Sequence, residues 1–145
     1  MGDSPTSNQD HYCKNLSGRA LLVWFVLIAA EIVHGILRAI LLVPLVGEFR
    51  SNQIGVFTGS TIILVIAYST IHWIGAARRR ELLFVGAFWL LATVAFEVGF
   101  GRLVMGLPWE RITADYNVLE GGLIPLGLIV LFFSPMIGTK LHGKR

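Results

Sequence analysis

The sequence predicts an all-α, polytopic membrane protein of four transmembrane helices in a bundle, with both termini in the cytoplasm. Three observations lead there. Of the 145 residues 54% are hydrophobic and 14% charged, and the mean hydropathy of +0.69 is too high for a domain dissolved in water. The apolar residues gather into four long stretches, and the basic residues outside them fall mainly on one side.

Residues 1–18 are polar and without periodic apolar positions, which reads as a disordered cytoplasmic tail. The apolar run that follows Arg19 continues past Ala30 without a cleavage pattern, so a retained first helix is expected rather than a signal peptide. A single four-helix domain is expected over 19–141, with spans at about 20–46, 53–76, 82–105 and 119–139 and a basic cytoplasmic tail at 142–145. Each stretch has the roughly 20 residues that a hydrocarbon core requires. Each must be helical, because an isolated strand cannot satisfy its own N–H and C=O groups in lipid. Pro44, Pro125 and Pro135 are expected to bend or end helices, Pro125 well inside the bilayer.

Orientation follows from the flanking charges. Lys14, Arg19, Arg78, Arg79, Arg80, Lys140, Lys144 and Arg145 share one side and Arg50 and Arg111 the other, eight against two. The richer side reads as cytoplasmic. The net charge of +3 forms no basic stripe with interleaved aromatics, so no nucleic-acid partner is expected; the lipid bilayer is the expected partner, with a homo-oligomer or a larger membrane complex beside it. A lone cysteine, Cys13, excludes an intrachain disulfide.

Charged residues inside the spans cost about 2.5–3.5 kcal/mol each on insertion and therefore turn inward. Glu31, His34 and Arg38 stand on one face of the first span, and helical rise puts Arg38 near the depth of Glu97, and Arg102 near that of Glu120. Two ion pairs are expected, Arg38 with Glu97 and Arg102 with Glu120. Glu31 and His34 then remain near the midplane as a titratable pair and a candidate proton site. The candidate functional cluster is Glu31, His34, Arg38, Glu97, Arg102 and Glu120, lining an external cavity with Gln53, Thr58, Asp115 and Tyr116 as candidate rim. The same residues also read as structural glue between helices. The segment from Leu107 to Val118 reads as a short amphipathic helix and a candidate lid. Gly55 and Gly59 make a GxxxG motif that permits close helix contact, within the bundle first and in a dimer as the alternative.

Several chemistries lack their residues. His34 and His72 lie about 15 Å apart in depth, too far to share a haem, and no His/Cys cluster suggests a metal. No span carries a lysine for retinal, and neither a Walker A motif nor a serine with a neighbouring base is present. No cofactor is expected, and no catalytic residue is identified. Trp24, Glu31, Gly35 and Arg38 are echoed by Trp89, Glu97, Gly101 and Arg102, but the offsets need gaps, so duplication and chance both stand open.

EIVHGILR from Glu31, FRSNQIGVFTG from Phe49 and FEVGFGR from Phe96 resemble segments of a group of small bacterial four-span inner-membrane proteins. The resemblance implies a bacterial inner membrane and carries no activity. The expected function is a proton-linked transport component or an accessory subunit of a membrane complex. A membrane-embedded enzyme acting on a lipid or small polar substrate, and a purely structural protein, are the alternatives.

Overall fold

A computed structural model describes residues 5–143, with side chains from residue 8 onward. The parts of the expected tails at 1–4 and 144–145 lie outside the described residues. Every extended element among the described residues is helical, and four helices are long and apolar enough to cross a membrane: Asn8–Val46, Glu48–Ile74, Arg79–Val104 and Ile124–His142.

The first helix, α1, spans Pro5–Leu37, so the disordered tail expected up to residue 18 is instead helical from residue 5. Its polar turns have partners. Tyr12 donates to the carbonyl of Gly75 at 3.0 Å, and Arg19 donates to that of Trp73 at 2.8 Å while its guanidinium lies over the Trp73 ring. These contacts satisfy carbonyls that a helix end leaves without intrahelical donors. Leu16 and Ala20 on the same segment are buried in the core.

The chain continues through a π-helical segment, Arg38–Leu42, into α2, Val43–Val46. Pro44 sits in the first turn of α2, where its missing N–H costs least. Gly47, at φ +85°, makes the sharp reversal into α3, Glu48–Ile74. That helix ends on Gly75 at φ +82°, a left-handed cap that side chains with a Cβ rarely adopt. Then α4, Arg79–Gly99, runs into a second π-helical segment, Phe100–Val104. A short helix, α5 (Trp109–Tyr116), and a 3-10 turn, Val118–Glu120, lead to α6, Ile124–His142.

The fourth span therefore begins later than expected, because the turn and Gly121 at φ +91° occupy 118–121. Pro125 falls in the first turn of α6 and starts that helix rather than kinking it; Pro135 is the proline inside it. Its ring is buried within the packed half of the molecule.

Both α1 and α6 pack on α3 and on α4. The half nearest the termini is filled by Val23, Leu27, Ala67, Ile71, Val85 and Trp89. Buried Trp89 donates to the Ala20 carbonyl at 2.9 Å, and Trp24 donates to Thr93 at 3.1 Å, so α1 and α4 are joined by two indole hydrogen bonds. A Cβ added at Gly86 would lie 2.1 Å from the Phe132 carbonyl oxygen, which shows how closely α4 and α6 cross. Large apolar side chains face outward, Leu103 at 85% exposure, Phe57 at 73% and Leu91 at 67%. Burying one such side chain is worth about 1.5–3 kcal/mol, so this surface suits lipid and not water.

Candidate functional site

The packed half gives way to a cavity of about 540 Å³ in the half remote from the termini. Its floor is apolar, formed by Leu27 of α1, Ile63 of α3 and Leu131 of α6. One helical turn above Leu27 stands Glu31, and Glu97 of α4 joins it on the wall. The mouth is bordered by Arg111 and Asp115 of α5 and by Glu120 to Gly122.

Helix α1 and the first residue of the π-helical segment after it supply the polar wall, because residues 31, 34 and 38 lie on one face and turn toward α3. His34 Nδ1 lies 3.5 Å from Glu31 Oε2, and its Nε2 lies 2.7 Å from Thr58 Oγ1. The Thr58 hydroxyl also lies within hydrogen-bond reach of the Ile54 and Gly55 carbonyls. Glu31 Oε1 is buried and has no hydrogen-bond partner. The glycines of the GxxxG motif make room for these side chains. A Cβ at Gly59 would lie 3.0 Å from the Glu31 carboxylate, and one at Gly55 would lie 2.6 Å from Arg38 Cδ.

Neither expected ion pair forms. Arg38 donates to Ser51 at 3.2 Å and to Asn52, both on the first turns of α3 just past the Gly47 reversal. Those neutral partners leave Glu97 free to accept from the Tyr116 hydroxyl at 3.1 Å. Arg102 points away from the cavity, donating to the Leu107 carbonyl at 3.1 Å with its guanidinium over Trp109. Its helix winds into the π segment there, which turns the side chain toward the loop that leads to α5. Glu120 lines the mouth without Arg102. Among the described residues the salt bridges are His34 with Glu31 and Arg111 with Glu48, the latter at 2.9 Å and largely exposed.

The cavity thus brings together Glu31, His34, Arg38, Glu97, Asp115 and Glu120. Thr58 and Tyr116 act one step behind, through His34 and Glu97. Gln53 does not line the cavity; its neighbour Asn52 does. Sequence reading missed Ser51 and Asn52, and placed Arg111 in the candidate lid without a partner. A signal existed in the short reversal at Gly47, since polar residues just before and after a tight hairpin must meet.

The Tyr116 phenol lies outside the spans, and burial, aided by the Glu97 carboxylate, pushes its pKa well above the ordinary tyrosine value. It therefore stays a donor to Glu97. At the opposite end, His142 stacks on Tyr68 with centroids 4.0 Å apart, donates to the Tyr68 carbonyl at 2.6 Å and meets His72 edge-on. Among the described residues no three His, Cys, Asp or Glu side chains gather as a metal site.

The cavity wall holds four carboxylates, Glu31, Glu97, Asp115 and Glu120, against two guanidinium groups, Arg38 and Arg111. Such a vessel suits acid–base exchange and the holding of a small polar solute. No protein-family model, curated protein or solved structure matches the chain.

Proposed function

We propose that the chain is a four-helix bundle of a bacterial inner membrane, with cytoplasmic termini, that serves as a proton-linked transport component. The eight-to-two distribution of flanking Lys and Arg supports this orientation, with the cavity opening on the outer face. The packed half closes the cavity toward the termini, so passage requires a second conformation or further subunits. A homo-oligomer or a larger membrane complex is the natural setting, because four helices enclose little space.

The observation that carries the reading is the Glu31–His34 pair, with one carboxylate oxygen against the imidazole and the other buried without a donor. An imidazole nitrogen facing a carboxylate oxygen gives a proton that enters the cavity two neighbouring groups to meet. A cationic solute entering the cavity competes with that proton for the same oxygens, which couples the two by mass action.

The structural reading also has an observation in its favour, since His34 and Arg38 each find partners on α3. Flux measurements separate the two. Reconstituted vesicles carrying a trapped pH-sensitive dye are challenged in turn with amine, carboxylate and sugar solutes, beside protein-free vesicles. The transport reading expects one class to move protons, and Glu31→Gln to abolish that movement while gel-filtration and helical content stay unchanged. Proton movement equal to that of protein-free vesicles for every class, or unaffected by the substitution, contradicts it. Loss of assembly on Glu31→Gln and Glu97→Gln favours glue.

A further inference from the structure

The geometry points to a small ammonium compound with a compact apolar end as the solute of this cavity. The inference rests on the cavity of the transport reading but not on its proton step. The two ends of the cavity differ in chemistry. Leu27, Ile63 and Leu131 close the floor, and each is 8% exposed or less. Glu31 stands one turn above Leu27, and a turn rises about 5.4 Å. A solute that reaches from this floor to Glu31 therefore needs only a short tether between its apolar end and its charge.

The hydrogen-bonding balance at the level of Glu31 selects the charge. Glu31 Oε1 lacks a donor, and Glu97 has a single one, from Tyr116. Of the two basic groups on the wall, Arg111 pairs with Glu48 and Arg38 directs one guanidinium nitrogen at Ser51 and Asn52, so two guanidinium groups stand against four carboxylates. A carboxylate solute would add acceptors where acceptors are already in excess. An alcohol supplies one donor without charge, whereas an ammonium supplies three donors and a compensating charge. Arylalkyl ammonium therefore seats its ring on the floor and its nitrogen between Glu31 and Glu97. The volume of about 540 Å³ lies within the range of small-molecule sites, about 300–1,000 Å³.

Equilibrium binding of 2-phenylethylammonium to the full chain in phosphatidylcholine nanodiscs tests this, with 2-phenylethanol and 3-phenylpropionate as matched neutral and anionic probes. The ammonium is expected to saturate one site, with the alcohol and the carboxylate weaker by about ten-fold or more, the scale of a charge-assisted hydrogen bond. Glu31→Gln is expected to remove most of that preference. Because the three probes are compared on the unaltered protein, a poorly folding variant leaves the test intact. Equal binding of the alcohol, preference for the carboxylate, or an unchanged preference in a folded Glu31→Gln protein overturns the proposal. Competition by phosphatidylethanolamine discs would assign the site to a lipid head group and overturn it as well. Selective ammonium binding without proton flux would leave this inference standing and remove the transport step.

Discussion

Glu31 and Tyr116 show how individual side chains set the chemistry of the cavity. A buried carboxylate oxygen without a donor is an open valence for a proton or a cation. Tyr116 fills the corresponding need at Glu97. Its folded pKa lies above that of free tyrosine, about 10. The sign follows directly: the hold of α5 on Glu97 is complete below about pH 10 and weakens as pH rises through the higher folded value. Tyrosinate absorbance of the wild type and of Tyr116→Phe is expected to coincide near pH 10 in its contribution from this site and to diverge only above it. Ionisation of Tyr116 alongside free tyrosine would show that the phenol is not held against Glu97. The sequence made Glu31, His34 and Glu97 visible because charge in an apolar run has few benign explanations. It could not reveal their partners, since the same depth estimate fits a guanidinium, a hydroxyl or an amide. Ser51 and Asn52 outcompete Glu97 for Arg38 because the Gly47 reversal delivers them to its side.

At the scale of elements, helices were readable where hydrophobicity decides and misread where local chemistry does. The long apolar runs became α1, α3, α4 and α6, and the amphipathic loop became α5. The polar residues before Arg19 were misread because their helix is held by tertiary contacts to the end of α3, invisible to periodicity. Both α1 and α4 give way to π-helical segments at their ends remote from the termini, each carrying an arginine of the echoed pattern, Arg38 and Arg102. Close crossings rest on single glycines. Gly86→Ala puts a Cβ against the Phe132 carbonyl and is expected to destabilise by about 1–3 kcal/mol, as overpacking does. Gly99→Ala, with nothing within 4 Å of the added carbon, is expected to stabilise by about 0.5–1 kcal/mol through helix propensity. Unfolding of both variants in mixed micelles checks the pair, and equal shifts would refute the crossing.

For the whole molecule, the balance of an apolar exterior, a packed half and a half-open cavity follows from where the polar residues fall along four helices. Near the termini Tyr12 and Arg19 are held by the end of α3, whereas in the remote half Glu31, His34, Arg38 and Glu97 line one shared space. The orientation proposed from flanking charge has a natural probe in exposed Cys13, the chain's lone cysteine. A membrane-impermeant thiol reagent is expected to spare Cys13 in intact cells and to label it once the membrane is opened; labelling of intact cells would reverse the proposed topology. Sidedness at the cavity itself is the most direct measurement. In a Cys13→Ser background, Ser60→Cys places a thiol on the cavity wall, and Leu91→Cys places one on the outward apolar surface. A water-borne, impermeant methanethiosulfonate is expected to modify the first from outside the cell and to leave the second untouched. An unreactive thiol at 60, or equal reaction at 60 and 91, would contradict a water-filled cavity lined by Glu31, His34 and Glu97.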